Sequence, residues 1–325
     1  MTNSKPWKKY PLIANELAQV NELLKQTMHA PNKNLESALK EMADNGGKYL
    51  RPSLVLLAAH AVGKTNKQII QIATAIETLH MATLIHDDVI DDSDKRRGKP
   101  SIQFAFGKDV AVYAGDLLFT NFFDLMLDVN EPEYLRLNAQ TMRQILNGEL
   151  GQMNQRFNLE QTFDDYLADI KGKTATLFRL AAEEGAHFAG GNLEQTQILA
   201  NFAEDLGIAF QIIDDILDYR GSSQLNKPML EDLPTGVYSL PLLLTLKQPD
   251  LKAQLLPLLN KRTAMTVKDI KQIQAIVIDS GAITESKQLA QNYAQKGIAE
   301  LAKLAPNPAV KILEKMAKEL LQRTF

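Results

Sequence analysis

Two short acidic runs carry the strongest chemical signal in this chain. His86-Asp87-Asp88-Val89-Ile90-Asp91-Asp92 closes a long apolar stretch, and the pattern returns as Ile212-Ile213-Asp214-Asp215-Ile216-Leu217-Asp218. In each copy, acids stand at relative positions one, two and five. On a helix, positions one and five lie a turn apart on one face, so two carboxylates point the same way with a third beside them. Like charges so spaced destabilise a helix by about 0.2–0.5 kcal/mol per pair. Each run also reads as the end of its helix, since Ser93 and Gly98 follow the first and Gly221 the second. There the macrodipole opposes negative charge. A bound cation is the natural compensation, and oxygen-only ligands without cysteine select a hard ion, Mg²⁺ or Mn²⁺. One such run alone would be an ordinary solvated helix end; two, each behind an apolar helix, point to metal chemistry.

Cations accompany the acids. Gly46-Gly47-Lys48-Tyr49-Leu50-Arg51-Pro52 is a turn before a helix start. It reads equally as a capped turn or as an anion site, with arginine forking onto phosphate oxygens and lysine acting as a point charge. Lys95-Arg96-Arg97-Gly98 follows the first acidic run; it balances charge locally, or it grips a polyanion that metal bridges from the other side. Lys173-Thr174 is uninformative alone, Gln211 lies three residues before Asp214 on roughly the same face, and Lys227 sits beyond the second run. His80, two turns before Asp87, fits a packed histidine as well as a functional one. There is no His-Glu-x-x-His, Gly-x-Ser-x-Gly or Walker loop, so nucleophilic hydrolysis and P-loop phosphoryl transfer lack their parts. Acid clusters, cations and an apolar interior suit a metal-bridged diphosphate. The metal would neutralise a diphosphate leaving group, and a dry cavity would shelter a carbocation.

The elements that must position these residues are helical. The chain has 325 residues, 45% hydrophobic, with net charge −3 and no cysteine. Disulfides, thiolate metal sites and thiol nucleophiles are excluded, and no basic surface argues for nucleic acid. The polar, lysine-rich start lacks a signal core. No run of about 18 apolar residues is evident, so a cytoplasmic protein with at most peripheral membrane association is expected. Helical periodicity predicts helices over 11–29, 33–44, 52–62 and 66–92, the last with the stripe Ile69, Ile72, Ile76, Leu79, Thr83, Asp87. Residues 107–129 are apolar over most of their circumference and are expected mid-bundle. Further helices are predicted from Pro132 to about Leu150, over 162–186, over 193–219 behind an Asn192 cap, and over 239–247, 264–278, 282–303 and 307–323. No linker or repeat stands out. A single all-α domain over 1–325, one large helical bundle around a central cavity, is the expected fold.

In order and spacing, these motifs resemble the trans-isoprenyl diphosphate synthases of the polyprenyl synthetase family. The resemblance is strong over about residues 40–245. It rests on Gly46–Pro52, Glu77-x-x-His80, Leu84–Asp91, Arg96-Arg97-Gly98, Gly115-Asp116, Lys173-Thr174 and Phe210–Asp218. It implies that Asp87, Asp88 and Asp91 hold Mg²⁺ against an allylic diphosphate and that Asp214, Asp215 and Asp218 hold another from the opposite side. Arg96, Lys173, Thr174, Gln211 and Lys227 would contact the allylic diphosphate, and Lys48, Arg51, His80 and Arg97 would bind isopentenyl diphosphate. A dimer is implied, and in some members a small dissimilar partner subunit. Many members carry a lysine where this chain has Val237, so one diphosphate contact is missing. Short-chain members place an aromatic near the first motif as a floor. Ala82 and Thr83 leave that path open, which predicts a long all-trans product, about C30–C40, needing several helical turns of wall at roughly 1.5 Å per residue. A farnesyl or geranylgeranyl synthase is the alternative.

Overall fold

The computed structural model describes residues 9–44, 48–129, 131–220, 230 and 232–322. The fold is all-α, as expected. The chain forms two compact units: Met1–Ala139 with Leu180–Ala200 and Leu304–Leu313, and Gln140–Arg179 with Asn201–Lys303 and Glu314–Phe325.

In the first unit, a short 3₁₀ turn leads into α1 (Ala14–Thr27), followed by α2 (Lys33–Asp44), α3 (Leu50–Val62) and α4 (Lys67–Ile90). Helix α4 begins where Asn66 Oδ1 accepts the Ile69 N–H at 3.0 Å, and no glycine or proline interrupts it. Ile69, Ile72, Ile76 and Leu79 are fully buried as their spacing predicts, and Thr83 and Asp87 are half-buried. A hairpin of β1 (Lys95–Arg96) and β2 (Lys99–Pro100) follows. Its two-residue loop, Arg97 at φ 53° and Gly98 at φ 79°, has the two positive φ values of a tight hairpin turn. Next come α5 (Ile102–Phe106) and α6 (Lys108–Leu127).

Helix α6 corrects one expectation. It packs against α4, but Val112, Tyr113, Phe123 and Leu127 are exposed on its other side. An apolar circumference does not by itself mean burial on all sides. The expected lack of membrane-length segments is also corrected: α4 and α6 are each long and apolar enough to cross a bilayer, although α4 is largely buried within the protein.

In the second unit, α8 (Phe163–Ile170) opens with a capping box between Thr162 and Asp165. A π-helical turn, Lys171–Ala175, separates it from α9 (Thr176–Phe188), so the predicted 162–186 helix is not one regular rod. Helices α7 (Pro132–Asn154), α9, α10 (Leu193–Arg220) and α15 (Pro308–Leu321) have residues in both units. Asn192 caps α10 as predicted, its Oδ1 accepting the Gln195 N–H at 2.9 Å. Helices α11 (Leu240–Leu246), α12 (Pro249–Leu259), α13 (Val267–Asp279) and α14 (Ala282–Leu301) complete the unit. Helix α12 was not anticipated. Its Pro249 occupies the first helical position, where the missing N–H costs nothing.

Candidate active site

The first acidic run ends α4, as its sequence suggested: the Asp91 N–H bonds Asp87 O at 2.8 Å, and the Ser93 N–H bonds Asp88 O at 2.9 Å. Asp87 is half-buried, Asp88 buried and Asp91 exposed. The β1–β2 hairpin turns the chain back so that Arg96 forks onto Asp88. Nε donates at 2.8 and 2.9 Å to the two carboxylate oxygens, and Nη2 donates to Oδ1 at 2.6 Å. A bidentate guanidinium–carboxylate pair is among the stronger charge-assisted contacts. One residue before Asp87, the His86 ring lies within 3.2 Å of Val112 O and 3.3 Å of Asp116 Oδ1. Gly115 makes the room: a Cβ there would sit 2.3 Å from His86 Nε2.

A second cluster in this unit joins α3 and α4. Arg51 Nη1 lies 3.1 Å from His80 Nε2. Guanidinium only donates, so this nitrogen accepts and the ring is neutral. Burial, with Arg51, Arg97 and Arg96 nearby, holds the His80 imidazole well below its usual pKa. Glu77, one turn earlier, is buried, which pushes its carboxyl up to about 7 against the pull of Arg51 and Arg97. Lys48 and Arg97 are exposed. Tyr49 anchors the turn before α3, its hydroxyl donating to Ala43 O at 2.9 Å and accepting from Asn21 Nδ2 at 2.7 Å. Gly46 and Gly47 lie outside the described residues. Of the chain-length positions, Ala82 is fully buried in a cluster with Leu24, Met28, Met81 and Ile85, and Thr83 is half-buried with its hydroxyl on His80 O at 2.8 Å.

The second unit gathers the remaining residues. The π turn carries Lys173 and Thr174, and α7 approaches it closely: a Cβ on Gly148 would lie 2.5 Å from Lys173 N. Lys173 Nζ donates to Glu149 Oε2 at 3.0 Å and to Gln152 Oε1 at 3.2 Å. Thr174 Oγ1 donates to Gln211 Oε1 at 2.8 Å, and Gln211 Nε2 donates to Asp215 Oδ1 at 3.0 Å. Tyr166 Oη donates to Asp215 Oδ2 at 2.7 Å. Burial pushes the Asp215 carboxyl up to about 6, opposed by Gln211, Tyr166 and the Leu240 N–H. Asp214 is half-buried and Asp218 exposed. Val237 is half-buried, its N–H on Asp232 O at 3.2 Å. Lys227 lies outside the described residues.

The sequence reading missed Tyr166, Glu149 and Gln152. A helical count from Lys173 hints at Tyr166, seven residues earlier, but the π turn between them breaks the count.

The donor set fits a hard divalent ion in its chemistry, being carboxylate oxygen throughout. Among the described residues, no three acid or histidine side chains gather as a metal-holding group.

The chain is all-α, and each unit carries an acidic helix end with cationic side chains in the same unit, a chemistry that suits a metal-bridged diphosphate. The family described as polyprenyl synthetase matches residues 32–277. The chain is 34% identical over 317 residues to heptaprenyl diphosphate synthase component 2 of Bacillus subtilis (strain 168), covering 97% of this chain and 90% of that protein. The geranylgeranyl pyrophosphate synthase of Lactobacillus brevis ATCC 367 superposes with a TM-score of 0.91 at 38% identity, over 98% of this chain and 99% of that one. A polyprenyl synthase of Caulobacter crescentus CB15, complexed with calcium and isoprenyl diphosphate, gives 0.89 at 34% identity, over 96% of each chain. The chain belongs to the polyprenyl synthetase family, and it is a prenyltransferase.

Proposed function

We propose that this enzyme condenses isopentenyl diphosphate head-to-tail with an allylic diphosphate, with Mg²⁺, to build a long all-trans polyprenyl diphosphate of about C30–C40, a length that fits a tail running several turns back along α4 at roughly 1.5 Å per residue. The observation that carries this reading is the grip of Arg96 on Asp88 at the end of α4. An acid assigned to metal and a guanidinium assigned to diphosphate thus stand side by side, where one metal–diphosphate could meet both.

Asp87, Asp88 and Asp91 would hold Mg²⁺ on one side, and Asp214, Asp215 and Asp218 on the other. The metal, when bound, neutralises charge on the departing diphosphate. Arg96, Lys173, Thr174, Gln211 and Lys227 orient the allylic diphosphate so that its C–O bond breaks. Lys48, Arg51, Arg97 and neutral His80 place isopentenyl diphosphate with its double bond toward the cation. A new C–C bond forms, and the proton lost from the isopentenyl unit passes to the released diphosphate. Apolar surroundings keep water from the cation.

The exposed apolar face of α6, where Tyr113 is 74% exposed, supports a homodimer. The name of the Bacillus subtilis relative, a component 2, supports a small second subunit as well. The sequence match running from 32 to 277 supports one functional domain, placed in the cytoplasm with peripheral handover of a greasy product. One observation favours a shorter product: the Lactobacillus brevis relative, 38% identical, bears a geranylgeranyl name. Purified chain, Mg²⁺, farnesyl diphosphate and radiolabelled isopentenyl diphosphate decide between them. Chromatography should show products near C30–C40. Product stopping at C20 selects the shorter reading, and no prenyl product with the chain alone shows that a second subunit is required.

A further inference from the structure

Tyr166 is not among the residues the sequence assigned to the site, yet its hydroxyl reaches the acidic run of the second unit. It lies in the first turn of α8, immediately after Asp165, whose capping box with Thr162 fixes where that helix begins. The ring is buried, 4% exposed. Its hydroxyl donates to Asp215 Oδ2 at 2.7 Å, within the range of a short, charge-assisted O–H···O⁻ bond. The other oxygen of Asp215 takes Gln211 Nε2 at 3.0 Å, and Gln211 in turn takes Thr174 Oγ1 at 2.8 Å. The carboxylate is thus held from both sides, by α8 and by its own helix one turn back. A carboxylate offers roughly four lone-pair sites, so these bonds fix its rotamer while leaving acceptor capacity for a cation.

A phenol serves this place better than the alternatives at hand. Its ring is buried apolar surface, and it carries a donor at the far end only. Charged donors such as lysine would neutralise the carboxylate and compete with a metal. Tyr166 supplies direction without charge.

We propose that Tyr166 is a positioning residue for the second acidic run. Through Asp215, it sets the orientation of the α10 end that presents Asp214 and Asp218, and so sets the affinity of that end for a divalent ion carrying diphosphate. This rests on the prenyltransferase reading of the site and adds a residue to it. Outer partners that orient a ligating carboxylate typically affect metal affinity or activity by about 10–100-fold.

The test is Tyr166→Phe, which removes one oxygen and keeps the ring. Mn²⁺ binding is followed by EPR in the presence of inorganic diphosphate, so no turnover is needed. Mn²⁺ affinity should fall about tenfold or more. In turnover, the Mg²⁺ concentration for half-maximal rate and the allylic KM should rise while the isopentenyl KM holds. Wild-type Mn²⁺ affinity in Tyr166→Phe, or equal rises in both KM values, overturns the assignment. Asp215→Asn, alone and with Tyr166→Phe, keeps the test open if the single phenylalanine variant folds poorly. If Tyr166 acts through Asp215, the double variant binds Mn²⁺ as Asp215→Asn does; a further tenfold loss overturns the proposal. A wild-type protein that binds Mn²⁺ with diphosphate yet forms no prenyl product, alone or with a second subunit added, would sink the functional reading and leave Tyr166 where it stands.

Discussion

Glu184→Gln should stabilise the protein, and by more as pH rises. Glu184 lies in α9 and is fully buried. Asn138 Nδ2 donates to its Oε1, but Glu184 Oε2 and Asn138 Oδ1 are both buried without a hydrogen-bond partner. Burial, with the Glu183 charge adding to it and Asn138 opposing, pushes the carboxyl up to about 8 from 4.5. Below pH 4.5 the group is protonated whether the chain is folded or not, and it has no effect on the pH dependence. Between 4.5 and 8 the unfolded chain releases a proton that the folded chain keeps, so stability falls steadily. Above 8 both states are ionised and the loss is complete.

At roughly 1.4 kcal/mol per pKa unit, the whole window is worth on the order of 5 kcal/mol as a ceiling. Between pH 6.5 and 9 the remaining part is about 2 kcal/mol. Glutamine keeps the acceptor for Asn138 and carries no charge at any pH. Thermal melts of both proteins from pH 6.5 to 9 should show Glu184→Gln the more stable, with the gap widening by a few °C up to pH 8 and flat beyond it. A gap that does not change with pH, or a variant less stable at every pH, would refute the buried-acid argument.

Three further outcomes follow from the site. Arg96→Met leaves buried Asp88 without its guanidinium; we expect about 2 kcal/mol lost in denaturant melts and a tenfold or greater rise in allylic KM, with Arg96→Lys failing to restore it because lysine cannot fork. Gly115→Ala puts a Cβ against the His86 ring; displacing the ring should cost about 1–3 kcal/mol and lower kcat with little change in isopentenyl KM. Ala82→Phe, and Thr83→Phe at the more open neighbour, should shorten the product seen by chromatography; unchanged product length would count against α4 as the wall of the tail path.

Much of the fold was legible because its signals are local. Asn66 and Asn192 each cap the helix they precede, and the stripe from Ile69 to Leu79 is buried at its helical spacing. The acidic runs could be read as functional because their cost to a helix is a sequence property. What failed to show depends on tertiary partners. Helix α6 is apolar over most of its circumference, and its packing against α4 and α5 decides which face is covered. The prolines at 249 and 257 disguised α12, since a proline at a helix start looks like a loop signal until the helix is seen behind it. Tyr166 offered only a helical count from Lys173 that the π turn breaks, because its partner is Asp215, 49 positions along the chain.

The pattern of residues that hold one another suggests how the resting site is kept. Arg96 is held by Asp88, Lys173 by Glu149 and Gln152, Thr174 by Gln211, and Arg51 by His80. Each is a cation or donor proposed to meet a diphosphate, and each has an acceptor within its own unit. Without these partners, the long side chains would adopt many rotamers, and a ligand would have to order them on arrival. With them, the side chains are already ordered, and under the proposed function a diphosphate would replace one acceptor with another. Binding then costs less conformational entropy than the number of long side chains implies. The same exchange explains why removing an acceptor partner such as Glu149 should weaken diphosphate binding, although a carboxylate beside a phosphate site would be expected to repel it.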